Sequence, residues 1–391
     1  MVNQGFIVIL LAFILFSCTT ENQLNELYVT SEYEIPDYEN QQWVNSKPLS
    51  IGGLLGQGNV VLVDFWTYTC VNCIRTFPFL SEWHDKYSDR GLVIIGVHTP
   101  EFEFEKKLQN IESSIKKNKL DYPIVLDNEF IIWDEFNNRY WPAKYLFDSE
   151  GKVLYKHFGE GGYVETENEI RKLLEIQGED LDNITIGQID NQDIDDSVFG
   201  GFYGDSSTID SANSAGEKPF YEMTRELYMG YERNLSYGGL YVGNLDYYDQ
   251  VDKVHSYIDD YDYAHNRFYL SGTWYAGAEF ISWNSNTPSS NEYLSFKFRA
   301  KSVNGVFSSM ASSKQGIKVL VKLDDEYLTK EQAGIDVQIN SNMESFIIVS
   351  DPKMYSVLIL PEYGEHVVSF LPQREEFSAF AFTFGSYEEG Y

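Results

Sequence analysis

Cysteine is nearly missing from this chain: three thiols in 391 residues, Cys18, Cys70 and Cys73, exclude a structural disulfide framework. Basic residues are scarce too. Lys and Arg number 29 against 60 Asp and Glu, a formal charge of -31, and such a field repels phosphate backbones, so no nucleic-acid partner is expected. The acidic residues are dispersed without calcium-loop spacing and read as a solvated surface. His84, His98, His157, His255, His265 and His366 lack paired-ligand spacing, and one Cys-X-X-Cys is too few ligands for tetrahedral zinc, so no metal is expected. Long apolar runs are absent; Phe6 to Phe16 is of signal-peptide length and short for a bilayer.

What is present supports two folded domains, since 43% hydrophobic residues suffice for a core in each. Residues 47–177 alternate strand-like and helix-like runs: Val60 to Phe65, Cys73 to Tyr87, Leu92 to Val97, Glu103 to Asn118, Tyr122 to Leu126, Asn128 to Tyr140, Lys144 to Asp148, Val153 to His157, Glu167 to Ile176. That alternation implies an α/β unit around a parallel sheet. Residues 18–46 are polar and read as a tether, with order beginning near Lys47; 178–219 reads as a flexible acidic linker. Residues 220–391 carry most of the Tyr and many short strand-length runs between turn signals, among them Gly239 to Leu245, Tyr355 to Leu360 and His366 to Leu371. These point to an all-β sandwich of jelly-roll type.

The chemistry gathers at Asp64-Phe65-Trp66-Thr67-Tyr68-Thr69-Cys70-Val71-Asn72-Cys73. A buried strand delivers Cys70 to a helix start, where unpaired N–H groups and the helix dipole favour a thiolate. Cys73, one turn further in, is placed to resolve a mixed disulfide. Asp64 on a doubly buried strand is either a hydrogen-bonded strand-end residue or, beside a dithiol, a proton relay. Trp66 reads as packing that shields the sulfurs. Pro142, before a strand, is either a loop proline or a cis proline that aims the backbone at a substrate chain.

The string from Phe65 to Thr76, with Gly96-Val97-His98-Thr99-Pro100-Glu101-Phe102, resembles the TlpA-like thioredoxin module of DipZ-type proteins. Gly230-Tyr231, Leu270 to Trp274 and Phe382 to Gly385 resemble landmarks of that family's carbohydrate-binding-module-like domain. The resemblance implies a thiol:disulfide oxidoreductase with Cys70 as nucleophile, Cys73 as resolving thiol, Pro142 orienting the substrate and Asp64 relaying protons. It implies no cofactor beyond this redox-active pair. Leu15-Phe16-Ser17-Cys18 resembles a bacterial lipobox, implying removal of residues 1–17, lipidation at Cys18 and a membrane-anchored protein of the cell envelope. Expected partners are disulfide-containing envelope proteins and a separate membrane electron donor of CcdA/DsbD type. Two departures from related reductases stand out: the CcdA-like carrier of DipZ proteins is not found, and Arg75-Thr76 stands where TlpA and ResA reductases often carry Glu.

Two alternatives stay open. A thiol peroxidase would resemble peroxiredoxins in a Pro-X3-Thr-X2-Cys string; Thr67 fits, but Val63 stands at the proline position. The second makes the β-domain a glycan- or protein-binding module, with Trp274, Tyr275 and Trp283 either stacking on sugars or serving as core.

Overall fold

The computed structural model describes residues 30–187, 223–234, 240–285, 287–309 and 316–385. Cys18, the lipobox and most of the expected acidic linker lie outside these residues. Among the described residues, no helix is long and apolar enough to cross a membrane.

The first domain runs β1 (Trp43–Val44), α1 (Ile51–Gly56), β2 (Val60–Trp66), α2 (Val71–Tyr87), β3 (Leu92–His98), α3 (Leu108–Asn118), β4 (Ile124–Leu126), α4 (Ile131–Glu135), β5 (Ala143–Phe147), β6 (Val153–Phe158) and α5 (Tyr163–Ile176). Its sheet is ordered β1-β4-β3-β2-β5-β6. The run Val60-Val61-Leu62-Val63 is buried on both faces, so β2 sits centrally, parallel to β3 and antiparallel to β5. This places the C-terminal end of β2, and the turn after it, where the sheet meets α2.

Order begins earlier than near Lys47. Ile35 is buried, β1 pairs with β4, and the Glu34 carboxylate accepts the N–H groups of Ile51 and Gly52 at 2.6 and 2.7 Å, capping α1 beside Ser50. A two-residue strand and one buried Ile leave no periodic signal in a polar stretch. At the other end, Arg171 donates to the carbonyls of Leu181 and Ile184, and Leu181 is buried, so the chain to Gly187 packs on α5. The helix expected over Asn128 to Tyr140 is confined to Ile131–Glu135, because Phe130 and Asn137 adopt φ of 60° and 47° at its two ends.

The second domain comprises β7 (Leu227–Tyr228), α6 (Tyr231–Asn234), β8 (Val254–Tyr257), β9 (Phe268–Ala276), β10 (Ile281–Trp283), β11 (Tyr293–Ser309), β12 (Ile317–Leu323), β13 (Glu326–Tyr327), β14 (Val337–Ile339), β15 (Ser345–Val349), β16 (Lys353–Pro372) and β17 (Phe377–Gly385). Its strands hydrogen-bond as one path, β14-β15-β12-β16-β11-β17-β10-β9-β8, and β9 also pairs with the start of β11, which closes part of the sheet on itself. Such closure removes exposed edges. The strands expected at Tyr355 to Leu360 and His366 to Leu371 are one long strand. The turn-like residues between them form a bulge, since the register jumps from Ala300↔Gly364 to Ser302↔Ile359. The strand expected over Gly239 to Leu245 is reduced, among the described residues, to an isolated bridge from Val242 to Phe268.

Trp274 and Trp283 are fully buried, with their indole N–H groups on the Ser271 carbonyl and the Glu292 carboxylate. They are core and offer no ring face to a sugar. Tyr275 is half-buried, its hydroxyl directed at Asp252.

Candidate active site

Cys70 is the N-cap of α2, and its sulfur accepts the N–H of Cys73 at 3.3 Å. A helix N-terminus leaves such N–H groups without intrahelical partners, and here one of them is aimed at the sulfur. Both cysteines are free thiols; Cys70 is partly exposed and Cys73 has no exposed surface. Burial, reinforced by Cys70 and then by Asp64, pushes the Cys73 thiol well above its ordinary range.

Asp64 is fully buried on β2, and neither carboxylate oxygen has a hydrogen-bond partner among the described residues. Burial raises its carboxyl to about 7, with Lys144 pulling the other way. A hydrogen-bonded strand-end Asp is therefore not what the structure shows. Lys144 lies directly opposite Asp64 in the β2–β5 register, fully buried, with its ammonium over the Tyr163 ring at 5.5 Å. Burial lowers its pKa, and Asp64, Cys73 and Glu160 raise it. Glu160 in turn pairs with Arg75 at 3.3 Å, so Arg75, where related reductases carry an acid, completes an alternating line of charge: Asp64, Lys144, Glu160, Arg75.

Trp66 is buried in the apolar cluster that also holds Cys73, edge-on to Phe77 at 5.2 Å and to His98 at 4.8 Å. Gly96 makes room for it, because a Cβ there would lie 2.9 Å from the indole nitrogen. His98 lies between Trp66 and Tyr68, and burial lowers its pKa to about 3, so the ring is neutral. The Trp141–Pro142 bond is cis and Pro142 begins the turn into β5; the Trp141 indole donates to the Thr99 carbonyl at 3.1 Å. The structure thus sets the Asp64 charge acting on Cys73 and places Trp66 in the cluster that encloses Cys73.

Two site residues were missed by sequence reasoning. Lys144 had a usable signal: it is a charge in the otherwise apolar run Ala143–Phe147, on a strand paired with the one that carries Asp64. Glu105 had none, because it sits among several acids. It is nevertheless fully buried and accepts the Thr69 hydroxyl at 2.5 Å, next to Cys70. Burial, then the charge of Glu101, raises its carboxyl to about 7.

A dithiol at the start of the helix that follows a central strand, over a buried acid, defines the class of thioredoxin-fold redox proteins. Residues 58–153 match the family described as thioredoxin-like, and 224–385 match the domain described as thioredoxin-like C-terminal. The chain belongs to the thioredoxin-like family. Among relatives, Protein DipZ of Mycobacterium tuberculosis is 46% identical over 135 residues, 34% of this chain and 19% of that protein. Thiol-disulfide oxidoreductase YkuV of Bacillus subtilis is 32% identical over 120 residues, 31% of this chain and 78% of YkuV. Among solved structures, an oxidised thioredoxin-like protein aligns with 38% of this chain and 99% of its own at 24% identity and a TM-score of 0.33. The chain thus spans about a fifth of the length of the DipZ protein it matches.

Proposed function

We propose that this protein is an extracytoplasmic, membrane-anchored thiol:disulfide oxidoreductase that reduces disulfides of envelope proteins. The observation that carries the reading is the unequal placement of the two sulfurs: Cys70 partly exposed at the helix cap, Cys73 enclosed beside an unpartnered carboxylate.

The Cys70 thiolate attacks one sulfur of a client disulfide; that bond breaks, a client thiolate leaves, and a mixed disulfide forms. Cys73 must then lose its proton, which burial opposes, so a nearby base is needed. Asp64 serves as that base, and Lys144 favours its charged form. The Cys73 thiolate attacks the Cys70 sulfur, freeing the second client thiol and leaving a Cys70–Cys73 disulfide. Two electrons have passed to the client, and a separate membrane dithiol donor of CcdA/DsbD type restores the thiols. The cysteine pair is the whole redox equipment, and Pro142 presents the neighbouring backbone to the client chain. Lipidation at Cys18 would hold the protein at the membrane.

The test is Cys73→Ser in cells under oxidising conditions. The variant is expected to accumulate mixed disulfides through Cys70 with envelope proteins, visible as reducible high-mass species. An empty trap, or a wild-type protein that leaves insulin disulfides intact when given reductant, overturns the reading.

A further inference from the structure

The two domains meet at the loop between β3 and α3, and that same loop holds the turn that carries Cys70. On the inner side, one carboxylate oxygen of Glu105 accepts the Thr69 hydroxyl, and the other accepts the N–H groups of Glu101 and Phe102. On the outer side, Glu101, with a nearly buried side chain, accepts from Arg233 and from the Tyr228 hydroxyl at 2.9 Å, both in the β-domain. The Arg233 guanidinium lies 3.8 Å over the Tyr228 ring, and the Tyr228 hydroxyl is also 2.7 Å from Glu226.

The loop is held at further points. The Glu103 N–H meets the Glu279 carboxylate at 3.1 Å, and Phe102 and Phe104 pack edge-on against Phe380 at 5.3 and 4.8 Å. The turn that carries Cys70 meets the β-domain directly as well, through the Tyr68 hydroxyl, which donates to the Pro352 carbonyl at 3.3 Å. Gly230 permits the close approach of the two β-domain segments that reach the loop, since a Cβ there would lie 2.2 Å from the Ala278 carbonyl oxygen.

Glu101 and Glu105 are neighbouring carboxyls on one short loop, each withdrawn from solvent, and the cation Glu101 meets comes from the other domain. Take that cation away and Glu101 is left nearly buried beside Glu105 without its counter-charge, the loop shifts, and Thr69 loses its acceptor. We propose that the β-domain is a working part of the redox site: Arg233 and Tyr228 are positioning residues that act through Glu101 and Glu105 on Thr69, and so fix Cys70 at the first turn of α2. The inference rests on the reading of Cys70 and Cys73 as the redox pair, and it gives the second domain a role in the chemistry.

The experiment uses the full chain and its equilibrium with reduced and oxidised glutathione, alongside iodoacetamide alkylation of Cys70 at pH 7. Displacing Cys70 breaks the bond from the Cys73 N–H to its sulfur, which holds the reduced pair in place, so the dithiol becomes the easier form to oxidise. Arg233→Ala is expected to raise the equilibrium constant for disulfide formation about tenfold, equivalent to about 30 mV toward the reducing side, and to slow alkylation several-fold. Tyr228→Phe, which removes one hydroxyl, should shift both in the same direction by less, and Arg233→Lys should restore most of the wild-type behaviour. A purely structural contact would lower the melting temperature and leave the redox constant alone. Folded Arg233→Ala and Tyr228→Phe proteins with wild-type constants overturn the inference; should Arg233→Ala not fold, Tyr228→Phe and Arg233→Lys decide it. A wild-type chain that exchanges with no glutathione overturns the redox reading itself, an outcome distinct from an unchanged constant in the variants.

Discussion

Asp64 pairs a stability cost with the chemical use proposed for it. Burial raises its carboxyl from 3.8 to about 7, so between those values the folded chain holds a proton that the unfolded chain has released. Stability therefore falls as pH rises through this window, and the loss is complete above it. Asp64→Asn removes the cost. Urea unfolding at pH 8.5 should show a gain of about 4 kcal/mol, shrinking at pH 5. The same substitution removes the proposed base for Cys73, so stopped-flow measurement of client release at pH 7 should show a slowing on the order of 100-fold. A variant that is neither more stable nor slower would remove Asp64 from the mechanism. Asp64 was legible as a residue worth watching because it follows four buried apolar positions. Its counter-charge was not, since Lys144 is 80 positions away in sequence and only the antiparallel β2–β5 register sets it opposite.

At the scale of elements, the parts built from continuous runs were the ones the sequence announced. β2 opens on four consecutive apolar residues, β3 is apolar up to His98, and α2 has a helical period, so their order and the site at their junction could be read directly. Elements held by long-range partners could not. α1 is six residues long and contains three Gly, weak helical material by propensity, yet its first N–H groups find Glu34, from a stretch that reads as tether. Glu34→Ala should therefore lower the stability of the first domain by about 1–2 kcal/mol in denaturant titration; an unchanged midpoint would mean solvent caps α1 equally well. β16 shows the same limit: Pro361-Glu362-Tyr363-Gly364 has turn chemistry, and only pairing with β11 on both sides makes it a bulge inside one strand.

For the whole molecule, the excess of 60 acidic over 29 basic residues sets how clients arrive. Encounter between a polyanion and a cationic client is accelerated by long-range attraction, which salt screens over about 10 Å at 0.1 M. A disulfide-linked basic peptide should be reduced several-fold faster than an acidic one of the same length at low salt, and the gap should close by about 0.5 M NaCl. Equal rates at low salt would mean that the field around Cys70 is locally neutral.

The burial of Cys73 carries a consequence for sequence in time. A sulfur with no surface meets no client first, so in the proposed reaction each encounter starts at Cys70 and each departure is completed from behind it. Entry and exit would thereby be assigned to different atoms by access alone, with the order of the two half-steps set by which thiol the solvent can touch.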